Sequence, residues 1–283
     1  MAEVFVNPNL PNYFVSAPEV TSADTARSYV PEFENAKVVT FPNLRADIDH
    51  EFWAALDTRK YPTLRKFATV LQESQDKTLK LHHESLVERG VDAGLVSALG
   101  SQFQAIYGAL LPAHRAIFAD YEFTKRKVVW RLNTIMNENM HLDVYAEENE
   151  EHFARMFINL DTEPRIWQTS WTIDDMMERL RDRFPPSAFE GRTRAQIWSD
   201  MTFSIFGPSP MEWWDNEPRH VAYFEPGDVW IVDSRQVAHQ IFYGRRALSI
   251  DFSVTRESMR DPGRHYLSFV DRFRELALDG AAA

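Results

Sequence analysis

The stretch VAYFEPGDVWIVDSRQVAHQIFYGRRALSIDFSV, Val221 to Val254, decides the fold. Four runs with strand character, Val221–Phe224, Val229–Asp233, Val237–Tyr243 and Arg246–Val254, are separated by the turn formers Glu225-Pro226-Gly227-Asp228 and Tyr243-Gly244. Short strands this closely spaced belong to a β-barrel or sandwich. In the last run Leu248, Ile250, Phe252 and Val254 form an apolar face that should pack on helices. Ala247, Ser249, Asp251 and Ser253 then face inward.

Upstream, Val128–Met136 and Phe153–Leu160 have the same strand character, and Arg165 and Trp167 alternate on a further candidate strand. Before Lys127 the pattern is different. An arm of about forty residues leads into an edge strand at Lys37–Phe41, and the stretch from Asp47 to about Gly100 reads as helical, weakly so between Tyr61 and Lys80. Asp92 caps a stronger helix whose apolar stripe is Leu95, Val96, Leu99, Phe103, Ile106, Tyr107, Leu110 and Leu111. Thr172 caps a short helix, Arg192–Met201 forms another, and Pro262-Gly263 opens a last amphipathic helix carrying Tyr266, Phe269, Val270 and Phe273. The expected organisation is one mainly β domain over 1–283. Residues 1–126 are the arm and supporting helices, 127–256 the barrel core with a helical insertion at about 172–218, and 257–283 the C-terminal helix.

Composition removes whole classes of chemistry. The chain of 283 residues is 44% hydrophobic and 26% charged, enough to bury a core and far from a disordered composition. Zero cysteine excludes disulfides, iron–sulfur clusters, thiolate zinc sites and cysteine nucleophiles, so a metal must be held by His, Asp or Glu. A net charge of -11 argues against binding nucleic acid over a broad surface. No apolar run approaches the roughly 18 residues of a membrane span, and MAEVFVNPNLP lacks a signal-peptide pattern, so a cytoplasmic location is expected. There is no Gly-rich phosphate loop, no G-x-S-x-G elbow and no H-E-x-x-H helix. Asp174 and Asp175 read as favourable charges at a helix start, and the adjacent His82 and His83 would diverge by about 100° on a helix.

The chemistry lies in Asn137-Glu138-Asn139-Met140-His141-Leu142-Asp143, which follows a strand. On extended backbone, residues i and i+2 point to one side, so His141 and Asp143 can offer an imidazole and a carboxylate to one cation. The best third ligand is His239, mid-strand near the C-terminus. Two imidazoles and one carboxylate on one face of a metal leave open positions, as a ferrous oxygenase centre requires. On residues alone the alternative stays open that His141 is a loop residue and His239 a core histidine in a non-catalytic, cupin-like metabolite-binding barrel.

This layout resembles the iron(II)- and 2-oxoglutarate-dependent oxygenases, whose double-stranded β-helix (jelly-roll, cupin-like) carries His-x-Asp early and a distal His late. Within them, Ala36–Pro42, His141-Leu142-Asp143, Arg155–Leu160 and Glu163–Trp167 resemble the Kdo (3-deoxy-octulosonic acid) hydroxylases. The resemblance implies an enzyme with Fe(II) at His141, Asp143 and His239, which uses 2-oxoglutarate and O2, with ascorbate a candidate further cofactor, to hydroxylate a C–H bond and release succinate and CO2. It implies a small polar, anionic substrate such as a lipid-linked sugar acid. With that come candidate peripheral contact at the inner face of the membrane, through basic clusters and the C-terminal helix, and a candidate homo-oligomer. An amino acid or natural-product intermediate would suit the same iron site.

One position departs from the family pattern. Where many members carry an Arg ten residues after the distal His and a Ser or Thr two further on, this chain has Ser249 and Asp251. The departure keeps open a metal enzyme without the cosubstrate. By strand parity, the expected anchor for the 2-oxoglutarate carboxylate is Arg155, with help from Ser249 and with Arg131 in reserve; a guanidinium offers two parallel donors that match a carboxylate's oxygens. Arg165 and Trp167 are expected at the substrate mouth.

Overall fold

The computed structural model describes residues 2–18, 20, 22–70, 83–132, 138–143, 152–206 and 216–282. Its strands are β1 (Glu3–Phe5), β2 (Phe14–Ser16), β3 (Val38–Thr40), β4 (Lys66–Val70), β5 (Phe123–Leu132), β6 (His152–Asn159), β7 (Arg165–Thr172), β8 (His220–Phe224), β9 (Val229–Ile231), β10 (Val237–Tyr243) and β11 (Arg246–Val254). The helices used below are α1 (Ala23–Arg27), α2 (Val30–Glu34), α3 (His50–Ala55), α4 (Ala93–Ile117), α5 (Ile173–Leu180), α6 (Arg194–Phe206) and α7 (Tyr266–Ala282). The strands form a major sheet, β2-β3-β9-β6-β11-β5-β4, and a minor sheet, β1-β8-β7-β10. This is the jelly-roll architecture that the family resemblance implies, and it agrees with the barrel or sandwich expected from the strand spacing.

Strand parity sets which side chains meet. Leu248, Ile250, Phe252 and Val254 lie in one core with Val128, Trp130, Ala154, Met156, Ile158 and the α4 residues Val96, Leu99, Phe103, Ile106 and Leu110. The opposite face of β6 and β11 looks between the sheets, where Phe157 and Trp230 of the major sheet meet Trp167, Phe224 and Ile241 of the minor one. Asp92 caps α4, accepting from the Leu95 N–H at 2.9 Å, and Thr172 and Asp175 close a capping box at the start of α5. The Glu225–Asp228 turn closes with Asp228 N–H donating to Glu225 C=O at 2.9 Å, and Gly227 takes φ +79° there, the position of a type II turn that favours glycine.

Three expectations about the N-terminal region change. The Lys37–Phe41 strand is not at the edge: β3 lies between β2, which pairs with it in parallel, and β9. The arm supplies the edges instead, β1 to the minor sheet and β2 to the major one. Within the stretch read as helical, residues 66–70 form strand β4, paired antiparallel with β5. That part had no clear helical period, and pairing satisfies the open hydrogen-bonding edge of β5. Strand β5 itself starts at Phe123, and residues 133–136 of the expected strand, with Asn137, lie outside the described residues, as does His82.

The apolar face of α7 is taken up within the chain: Tyr266, Phe269, Val270 and Phe273 pack with Ile173, Met176, Ile197, Trp198 and Met201 of α5 and α6. These four side chains are therefore engaged within the chain. Asp174, at the start of α5, accepts from Arg264 and Arg272 at 2.8 and 2.7 Å. Among the described residues no helix is long and apolar enough to cross a membrane.

Candidate metal centre

Residues 138–143 run alongside β10. His141 and His239 exchange both backbone hydrogen bonds at 3.0 and 2.9 Å, Glu138 N–H donates to Ile241 C=O, and Asp143 N–H donates to Ser234 C=O, each at 3.0 Å. The alternation then sends Met140 and Leu142 into the apolar cluster beneath α5 and α6. His141, Asp143 and His239 turn together: each offers one ligand atom, and these atoms lie within 4.8 Å of one another. Asp143 Oδ1 stands 3.4 Å from His141 Nε2 and 4.0 Å from His239 Nε2. Ligand bonds of roughly 2.1 Å at right angles place donors about 3 Å apart, so a small contraction around a cation accommodates all three.

The imidazoles are oriented for this. His141 Nδ1 lies 2.6 Å from Asn139 C=O and His239 Nδ1 lies 3.0 Å from Val237 C=O, so each Nδ1–H donates along its own strand and directs Nε2 to the site. The Trp167 ring stacks on His239 with centroids 5.2 Å apart. Burial and the neighbouring His141 charge lower His239 to about 4, leaving a neutral ligand. At His141 burial works against the charge, but the bond to Asp143 overrides it and pushes the group up to about 9. Burial likewise opposes charge on Asp143, yet the Arg155 guanidinium and the imidazoles hold its carboxyl well below the usual carboxylate range. Once a cation displaces the proton from His141, the donor set is two oriented imidazole nitrogens and one ionised carboxylate, which suits Fe(II).

A cavity of about 630 Å³ opens over the triad, lined among others by Arg131, Glu138, Arg155, Arg165, Trp167 and Ile241. Arg131 Nη1 donates to Ser249 Oγ at 3.0 Å, across the β5–β11 pair. Arg165, 1% exposed, is lowered to about 9 by burial first and then by the nearby Arg131 charge, and remains a cation at neutral pH. Arg155 has other partners than those expected. Its Nη1 donates to Asp143 Oδ2 and to Ser234 Oγ, and its Nε pairs with Asp251 Oδ1 at 3.0 Å.

Sequence reasoning missed the roles of five residues. Ser234, in the β9–β10 connection, donates to Asp143 Oδ2 at 2.5 Å, and nothing in its local pattern marks it. Asp251 stands directly opposite Arg155 in the β6–β11 register; the inward parity of both residues puts them on one face, and only the register pairs them. Ser199, Thr202 and Phe203 of α6 line the cavity mouth, an i, i+3, i+4 set that reads as helix surface until the helix is placed.

No protein-family model and no curated protein matches the sequence. The fold does have solved counterparts. It is similar to the crystal structure of the Kdo hydroxylase KdoO, a non-heme Fe(II) alphaketoglutarate dependent dioxygenase, in complex with succinate and Fe(III), at TM-score 0.61 and 15% identity over 92% of this chain and 95% of that one. The complex of that enzyme with alphaketoglutarate and Fe(III) aligns at TM-score 0.60, also at 15% identity over 92% and 95%. Its cobalt(II) complex aligns at 0.61 with the same identity and coverage. The shared element is the double-stranded β-helix architecture.

Proposed function

We propose that the chain is a non-haem iron(II)- and 2-oxoglutarate-dependent oxygenase that hydroxylates a C–H bond of a small polar, anionic molecule, with a Kdo-type sugar acid as the candidate substrate. The observation that carries this is the convergence of His141 Nε2, His239 Nε2 and Asp143 Oδ1, with both Nδ1 atoms tied to backbone, inside the fold on which KdoO holds its iron. When bound, iron supplies the oxidation of 2-oxoglutarate by O2 to succinate and CO2 and the attack on the substrate C–H bond.

The protein's part is to bind, orient and shield. His141, Asp143 and His239 would hold the iron, and the cavity over them would receive the oxoacid and dioxygen. Arg131 and Ser249, with Arg165 as the second cation, receive the far carboxylate of 2-oxoglutarate, because a paired cation and hydroxyl lining the cavity suit an anion with several acceptor oxygens. Arg155 leaves that role, since its guanidinium is engaged by Asp143 and Asp251. Trp167 covers the His239 ring and helps keep water from it. Ser199, Thr202 and Phe203 face the substrate entrance; an anionic sugar would meet hydroxyls, an aromatic ring and the positive potential of the arginines behind them.

The test is an anaerobic titration of the protein with Fe(II) and then 2-oxoglutarate, following the visible metal-to-ligand charge-transfer band, with His239→Ala alongside. The band is expected in the parent and not in the variant. Iron binding without a band would sink the cosubstrate, and no iron binding would sink the oxygenase reading. Succinate release on adding Kdo-type sugar acids, compared with amino acids, then selects the substrate class.

A further inference from the structure

The two carboxylate oxygens of Asp143 are divided between two environments. Oδ1 faces the imidazole nitrogens, at 3.4 and 4.0 Å. Oδ2 faces the interior and accepts from Arg155 Nη1 and from Ser234 Oγ. Arg155 is itself fixed. Its Nε forms an ion pair with Asp251 Oδ1 at 3.0 Å, without hydrogen-bond alignment, its guanidinium lies 5.1 and 5.7 Å from the ring centres of Phe153 and Phe157, and Arg155 and Asp251 are each 2% exposed. A long side chain held by a carboxylate, a hydroxyl and two rings loses little further freedom in gripping Asp143.

We propose that Arg155 is a positioning residue for the metal centre: anchored on Asp251, and with Ser234, it withholds Asp143 Oδ2 so that the carboxylate binds metal through Oδ1 alone. This rests on the metal reading above and explains how the site keeps room for its cosubstrate. Two imidazoles and a carboxylate bound through one oxygen leave three of the six positions of an octahedron, enough for a bidentate oxoacid and dioxygen. A carboxylate bound through both oxygens would consume one of them. The geometry also accounts for Asp251, which stands in the major sheet across from Arg155 and pairs with its Nε.

The probe is Co(II) titrated into protein freed of metal, read by calorimetry and by the visible d–d absorption, which responds to changes in cobalt's ligand set. Arg155→Lys keeps the charge and loses the fork; Asp251→Asn leaves Arg155 in place and loosens its anchor. Loss of a charge-assisted grip predicts Co(II) affinity lower by about tenfold to a hundredfold. It also predicts a d–d band altered in position and shape, as the released carboxylate oxygen replaces water on cobalt, with circular dichroism like the parent's; should the lysine variant fail to fold, the near-isosteric Asp251→Asn carries the test. Parental affinity and parental spectrum in the folded variants would overturn the proposal. So would parental Co(II) binding with lost 2-oxoglutarate affinity, which would make Arg155 the anchor after all. A His239→Ala protein that binds Co(II) as tightly as the parent removes the metal reading itself, a result separate from either.

Discussion

A single methyl group in the β10–β11 turn should weaken cosubstrate binding without touching the metal. A Cβ added at Gly244 would lie 2.6 Å from Arg165 Nη1, 2.8 Å from its Cγ and 3.2 Å from its Cζ. Gly244 is not among the residues with positive φ, so alanine meets no backbone penalty and the whole effect falls on that contact. Because Arg165 is 1% exposed and the clash includes Cγ, the guanidinium cannot swing clear into solvent; the side chain must shift as a unit. Displacing one charge-assisted donor from the carboxylate of 2-oxoglutarate costs about 1.5–3 kcal/mol, a rise in Kd of about tenfold to a hundredfold. Overpacking adds a stability cost of about 1–3 kcal/mol. Calorimetric titration of 2-oxoglutarate into Fe(II)-loaded Gly244→Ala protein under argon measures the first term. Fe(II) affinity should match the parent, since His141, Asp143 and His239 are not among the atoms the new methyl meets. Unchanged 2-oxoglutarate affinity would refute the assignment of Arg165 to the anchor.

Other consequences are open to direct measurement. Arg131→Gln removes the cation that holds Ser249 Oγ, and we expect a 2-oxoglutarate Kd at least tenfold higher with the Fe(II) stoichiometry unchanged; unaltered affinity would return the anchor to another residue. Ile250→Ala, in the core between β11 and α4, should cost about 2–5 kcal/mol in denaturant unfolding, and a smaller loss would mean that the site collapses on the truncation. Acid should destabilise the fold through buried histidines. Burial, followed by the charges of His152 and Arg235, lowers His265 to about 3, and burial lowers His114 to about 4. Both folded values lie below the ordinary 6.5, so between them the unfolded chain binds more protons and stability falls as pH drops. From pH 7.5 to 5.5 each group should remove about 1.4 kcal/mol, measured by urea unfolding in the presence of chelator. His265→Asn should flatten that slope by about half, and an unchanged slope would exclude His265 as its source.

What the sequence disclosed divides by the range of the interaction. Strand parity is local and strict, because a one-residue slip reverses every side chain, and it correctly sends Leu248, Ile250, Phe252 and Val254 to the helical core. The His141 and Asp143 spacing is equally local, and the structure brings both beside His239. Register is not local. That Arg155 faces Asp251 depends on how β6 meets β11, so parity alone pointed its guanidinium inward and left its partner unnamed. The strand at 66–70 was hidden for a related reason: its pairing is decided by the open edge of β5, not by its own period.

The site also shows why an acidic chain needs buried arginines. Asp143 and Asp251 are two carboxylates held in the interior, which is costly unless each charge is matched. Arg155 lies between them and serves both. Arg131 and Arg165, with neighbouring positive charges in the same cavity, carry the opposite debt, since burial and mutual repulsion disfavour the charge on Arg165. An incoming dicarboxylate relieves that repulsion, whereas a neutral ligand of the same shape would not. On the function proposed above, the arginine end of the cavity would therefore select an anion by charge, and the remaining specificity would fall to the α6 residues that line it.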